Sequence, residues 1–168
     1  MQQPAHDRES TASLRALLSD RVCIVGVGNR MRGDDGAGPA LIDARRPGTR
    51  GVWIDAGVAP ENFLETIAKT DPDVVLMVDA VAFGGLPGDY RLMDSNELDR
   101  AAVSTHAGSL CMLSHYLSAR SVASLRVLAI QPESIAAREG LSPAVEECCL
   151  HLAGMLSELL GPATEVGE

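Results

Sequence analysis

The stretch Val22-Cys23-Ile24-Val25-Gly26-Val27-Gly28-Asn29-Arg30-Met31-Arg32-Gly33-Asp34-Asp35-Gly36-Ala37-Gly38-Pro39 decides the fold. Its first six residues carry no polar side chain and include β-branched ones. A strand with one wet face would alternate, so an unbroken run reads as a strand buried on both faces. A glycine-rich loop from Gly28 to Gly38 follows. Pro39 then suits the first turn of a helix passing through Leu41 and Ile42.

The same alternation continues outward along the chain. Residues 52–55 and 74–79 read as further strands, the second the most hydrophobic. Between them, Ala59-Pro60-Glu61 opens a helix with Phe63, Leu64 and Ile67 on one face. Gly84 to Gly88 is a turn. Residues 89–93 read as a short edge strand and 97–100 as a brief helix. A helix over 106–117 places Leu110, Leu113 and Leu117 together. A buried strand at 125–130 precedes a last helix, opened by Ser142-Pro143 and running to about residue 160. Strands alternating with helices imply βαβ units. The fold expected is α/β, a three-layer α/β/α sandwich around a mostly parallel twisted sheet with a short edge strand. One domain over 21–161 is expected, with a flexible N-terminal extension at 1–20 that has room for a short helix around 10–19, and a polar tail at 162–168.

Composition narrows the function. The chain has 168 residues, long enough for one sizeable core. Its formal net charge of −9 argues against a nucleic-acid ligand and against an anionic membrane surface. No stretch has the roughly 18 apolar residues of a membrane helix, and the first twenty residues lack the apolar run of a secretory signal. Cys23, Cys111, Cys148 and Cys149 form no CxxC pair, which suits reduced thiols in the cytoplasm.

In open α/β sheets, ligands bind beyond the carboxyl ends of the strands. Three such places carry polar groups: the loop with Asn29, Asp34 and Asp35, the strand end at Asp79, and Ser104-Thr105-His106 at a helix start. Parallel strands would bring Asp35, Asp79 and His106 to one rim. Two carboxylates and an imidazole suit a divalent transition metal and leave positions open for water or a substrate group. Each also has a structural reading. Asp34 and Asp35 fit a solvated turn capping the next helix, Asp79 fits a cap at the strand end, and His106 with Thr105 fits a helix cap.

Familiar templates fail here. Gly28 to Gly33 has P-loop spacing, but Asp34-Asp35 stands where Lys and Ser or Thr are needed, and two carboxylates repel phosphate. The dinucleotide pattern has Gly26 and Gly28 but Met31 in place of its third glycine, with Asp55 as a weak counterpart of the ribose-binding acid. Neither HExxH nor GxSxG occurs. Cys111, five residues after His106, is a poor candidate nucleophile.

Taken together, Val27-Gly28-Asn29, Gly33-Asp34-Asp35-Gly36-Ala37-Gly38-Pro39, Asp55-Ala56-Gly57, Ala59-Pro60-Glu61-Asn62, Val78-Asp79-Ala80, Pro87-Gly88, Ser104-Thr105-His106 and Ile130-Gln131-Pro132 resemble the hydrogenase maturation endopeptidases, most closely the branch that processes hydrogenase 3. The resemblance spans roughly residues 22–160. It implies a protease that removes the C-terminal extension of a [NiFe]-hydrogenase large-subunit precursor once nickel is in place. It implies that Asp35, Asp79 and His106 contact that nickel, which the substrate carries, with Asp35 and Asp79 also as catalytic carboxylates. Asn29, Asp34, Gly36 and Thr105 are then expected at the substrate, with Asn29 and loop N–H groups at the oxyanion. A monomer is expected, so that the rim stays open to its partner. The resemblance loosens at Ala107-Gly108-Ser109, beside the proposed site. Two other readings compete: a nickel-sensing chaperone that does not cut, and a small nucleotide-binding domain.

Overall fold

The computed structural model describes residues 5–18, 21–94, 97, 106–120 and 124–163. Five strands, β1 (Val22–Val27), β2 (Val52–Gly57), β3 (Val74–Ala80), β4 (Tyr90–Met93) and β5 (Ser124–Ile130), form one sheet in the order β2-β1-β3-β5-β4. All neighbours run parallel except β4, which is antiparallel to β5. The expected edge strand is therefore present and closes that side of the sheet.

Both faces are covered, as unbroken apolar strands require. On one face Ile24, Leu76, Val78 and Leu128 pack with α2 (Ala37–Asp43) and α5 (Pro143–Leu160). On the other, Val25, Val75, Met77 and Val127 pack with Ile67 of α3 (Leu64–Lys69) and with Leu110, Leu113 and Leu117 of α4 (Ala107–Ala119). This is the expected three-layer sandwich. The crossovers out of β1 and out of β2 lie on opposite faces, so strand order reverses at β1 and β3. That reversal opens a crevice at the strands' carboxyl ends.

Helix α2 comes unusually close to the sheet there. A β-carbon on Gly38 would lie 2.3 Å from the Val27 carbonyl oxygen and 2.4 Å from that of Val78. Any side chain would push the helix off the two central strands.

Some expectations need correction. The N-terminal extension contains a helix, α1 (Ala5–Leu17), whose Leu14 has no exposed surface and joins the α2/α5 core. Burying that side chain stabilises the fold by about 2 kcal/mol, and the helix starts earlier than the short one expected around 10–19. The helix expected from Ala59 begins as a 3-10 turn, Pro60–Phe63, before α3. The start of the polar tail is pinned, because Ala163 N–H donates to Gly48 O at 2.8 Å. The short helix expected at 97–100 falls, Glu97 apart, outside the described residues.

Candidate active site

The loop after β1 is shaped mainly by its own backbone. Gly28 has φ 144°, and a β-carbon on it would lie 1.7 Å from the Asp35 carbonyl oxygen. Only glycine permits that approach. The loop then folds into a 3-10 turn, Gly33–Gly36. Asn29 N–H reaches both the backbone oxygen and Oδ2 of Asp35, each at 3.1 Å. The Asn29 amide oxygen accepts from Met31 N–H at 2.9 Å, so that atom serves the turn.

Asp34 and Asp35 point to different places. Asp34 is 1% exposed, and its carboxylate accepts from Ser142 N–H at 2.6 Å, Ser142 Oγ at 2.9 Å, Glu133 N–H at 2.8 Å and Ser134 N–H at 3.2 Å. Expected among the substrate-binding residues, it instead ties the loop to the segment that leads into α5. Backbone bonds run alongside, from Gly33 N–H to Arg138 O and from Asp34 N–H to Ser134 O. Neither a solvated turn nor a cap on the next helix describes it. Gly36 is buried against the Arg30 backbone.

Asp35 turns the other way, toward the crevice. Asp79, one residue before the end of β3, lies on the face that also carries Val75 and Met77, because alternate strand residues share a face. That face is the one α4 covers, and His106 stands immediately before the first residue of α4. The three side chains therefore meet. His106 Nδ1 lies 3.2 Å from Asp79 Oδ1, and its Nε2 lies 4.0 Å from Asp35 Oδ2. Asp79 has no exposed surface, Asp35 1% and His106 8%. The imidazole is held above its usual range, first by the Asp79 hydrogen bond, against the loss of hydration, with the charges of Asp79, Asp35 and Glu61 adding. The three side chains converge at the rim, as the topology implies. Thr105 lies outside the described residues.

The arrangement is a line of carboxylate, imidazole and carboxylate. Asp79 fixes the ring through one nitrogen, and the other nitrogen faces Asp35 across a gap too wide for a direct hydrogen bond. Among the described residues, no group of three or more His, Cys, Asp or Glu side chains forms a metal cage by itself. The line offers carboxylate bases for a water and oxygen and nitrogen donors for an incoming cation.

The buried thiols are poor nucleophiles. Burial pushes Cys23 up to about 11 and Cys149 up to about 12, and Cys148 is also buried. A phosphate cradle is also missing from the glycine loop, where the Asp35 backbone and carboxylate take the Asn29 N–H. Sequence reasoning missed one group near His106, Glu61 of the 3-10 turn after β2. The signal available was its place in the Ala59-Pro60-Glu61-Asn62 stretch.

Comparison with known proteins bears on the family and the fold. The family profile described as HycI, hydrogenase maturation protease, matches residues 44–158, a span that includes Glu61, Asp79 and His106. The hydrogenase 3 maturation protease of Escherichia coli K12 is 37% identical over 112 residues, 65% of this chain and 71% of that one. The crystal structure of a [NiFe] hydrogenase maturation protease HycI from Thermococcus kodakarensis superposes with a TM-score of 0.78 at 30% identity, covering 88% of this chain and 98% of that one. The E. coli hydrogenase maturating endopeptidase HybD shares the fold, with a TM-score of 0.63 at 24% identity over 79% of this chain and 88% of that one. With profile, relatives and fold in agreement, the chain belongs to the hydrogenase maturation protease family and is an endopeptidase.

Proposed function

We propose that this endopeptidase removes the C-terminal extension of a [NiFe]-hydrogenase large-subunit precursor, and that it recognises the nickel already bound there. The observation that carries the reading is the buried line Asp79–His106–Asp35 at the crevice. Nickel in this reading belongs to the substrate. Imidazole and carboxylate donors suit a divalent first-row ion whose own ligand set is incomplete. A carboxylate on the far ring nitrogen is the usual means of orienting a ligating histidine, and Asp79 Oδ1 occupies that place.

The reaction is hydrolysis. In this reading one of the two carboxylates, Asp35 or Asp79, takes a proton from water as it adds to the scissile carbonyl, and the proton then passes to the departing amine. The side-chain amide nitrogen of Asn29, whose oxygen serves the turn, is the donor this reading assigns to the developing oxyanion. Selectivity then comes from the metal that the substrate carries more than from a deep side-chain pocket.

Cys23, Cys111 and Cys149 stand as free thiols, which supports a reducing compartment, the cytoplasm. No helix among the described residues is long and apolar enough to cross a membrane. A rim that must admit a large protein partner supports a monomer.

The test mixes the chain with tailed large-subunit precursor, with and without nickel, and follows the precursor mass. Nickel-dependent trimming that Asp35→Asn, Asp79→Asn and His106→Ala each abolish is the expected outcome. Trimming that ignores nickel, or that survives His106→Ala, would overturn the reading.

A further inference from the structure

The loop after β1 and the segment leading into α5 meet edge to edge, where a single parallel bridge pairs Arg32 with Arg138. Gly33 N–H donates to Arg138 O at 2.8 Å, and Arg138 N–H donates to Met31 O at 3.1 Å. Main-chain bonds on both sides therefore lock the two arginines opposite each other. A β-carbon on Gly33 would lie 3.6 Å from the Arg138 γ-carbon, which places that side chain beside the start of the 3-10 turn. Both arginines are exposed. Arg32 and Asp35 are the two ends of one turn, closed by Asp35 N–H donating to Arg32 O at 3.1 Å. Their α-carbons stand within about 7 Å of each other.

Two cations held side by side repel, and like charges at opposed positions weaken a strand pair. Arg21, Arg30, Arg46, Arg91 and Arg120 each have a carboxylate partner. Among the described residues Arg32 and Arg138 have none, although Glu133 and Glu139 lie on the same segment. The local fold gives no reason for either charge, because every bond that locks the bridge is made by main-chain atoms. In a chain of net charge −9 the pair is a local cationic spot, open to solvent and one turn from the crevice. Guanidinium groups match carboxylates in both charge and fork geometry. A carboxylate arriving from outside would bind both arginines and remove their repulsion, and the molecule that arrives at this rim is the substrate.

We infer that Arg32 and Arg138 together form a docking point for an acidic side chain of the precursor, close in sequence to the bond that is cut. The assignment rests on the precursor reading above. Its position follows from reach. Arg32 is one turn from Asp35, and an extended substrate advances about 3.3 Å per residue, so the carboxylate lies within about four residues of the cut. The role differs from that of the Asp35, Asp79 and His106 line. The arginines do not touch the reacting atoms. They select which precursor is held, and they act on binding whether or not nickel is present.

The experiment measures KM and kcat for trimming of nickel-loaded, tailed precursor by the native chain and by the double variant Arg32→Gln with Arg138→Gln. The double variant is expected to raise KM roughly fivefold and to leave kcat within about twofold of native. Arg32→Glu reverses one charge, leaves every main-chain bond in place and should raise KM further. Between about 0.05 and about 0.3 M salt, native KM should climb more steeply than that of the double variant, because screening weakens only a charge that is still there. The double variant should melt at or slightly above the native temperature, since a repulsion has gone, which separates docking from a structural role. A second arm uses precursor whose Asp and Glu residues within about four positions of the cut are replaced by Asn and Gln. That precursor should raise the native KM by the same factor and leave the double variant nothing more to lose. Unchanged KM in the double variant, an unchanged salt slope, or a loss that persists on the neutralised precursor would overturn the assignment. If the native chain neither bound nor trimmed the precursor, the substrate reading itself would fail, a result visible before any variant is compared.

Discussion

The loop after β1 and the start of α4 deliver side chains to the same point by opposite means. The loop is over-determined. Gly28 admits a backbone contact that no side chain would allow, and Asp34 binds four donors from residues 133, 134 and 142. Asp35 is placed because its neighbours have nowhere else to go. His106 is placed by a side-chain contact with Asp79 and by the helix it precedes. One side of the site is held by main-chain architecture and the other by a charge-bearing contact. Substitutions on the first side should therefore cost folding stability, and those on the second should cost activity.

The largest expected effect is at Asp34. Asp34→Ala leaves the Ser142 hydroxyl and three backbone N–H groups without their acceptor, a loss of about 4 kcal/mol. Thermal denaturation should show a drop of roughly 10 °C in Tm. If the drop is small, the loop is held chiefly by its backbone bonds to 134–138 and the comparison needs redrawing. Gly28→Ala comes next, at about 3 kcal/mol or more, because the β-carbon meets a backbone oxygen that cannot swing aside. Trimming activity should vanish with it, since Asp35 moves. His106→Ala should reverse the balance, abolishing trimming for a stability loss of about 1 kcal/mol. Equal losses of Tm in His106→Ala and Asp34→Ala would break the contrast.

A smaller effect follows from titration. The His106 imidazole binds its proton more tightly in the fold than in the unfolded chain, chiefly through Asp79. The protonated ring therefore adds stability fully below its unfolded value of about 6.5 and loses it as pH rises through the raised folded value. Tm measured across that window should decline more steeply for the native chain than for His106→Gln. Smallest of all is Arg30→Ala. Arg30 bridges Asp43 at 2.6 Å and Asp55 at 2.8 Å beside the loop, but the partners are exposed. Its removal should cost about 0.5 kcal/mol, within the scatter of surface substitutions.

The same contrast explains what could be read in the sequence. Unbroken apolar runs at 22–27 and 74–79 announce strands buried on both faces, and parallel strands carry Asp79 and the Asp35 loop to one rim whatever the details of packing. The architecture and the Asp35, Asp79 and His106 grouping were legible for that reason. The opposite fates of Asp34 and Asp35 were not. They are adjacent, chemically identical, and distinguished only by a partner 108 residues further along the chain. No local pattern encodes a contact at that range. The helix at 5–17 was legible only in its second half, as a short helix around 10–19, because its apolar anchors, Leu14 and Leu17 with Leu18 after it, all lie there. Glu61 was visible as part of a motif, but its influence on His106 exists only once the turn at 60–63 packs on α4.

The distance that Asp34 spans has a consequence for how the enzyme comes into being. A ribosome releases the chain from its N-terminus, so Gly28, Asp34 and Asp35 emerge long before Glu133, Ser134 and Ser142. During that interval Asp35, Asp79 and His106 already exist, yet the clasp that sets the Asp35 loop is open. Peptide-cutting power is thus among the last properties the nascent chain acquires, and a product of interrupted translation that stops before Ser142 would carry the reactive side chains without the frame that arms them.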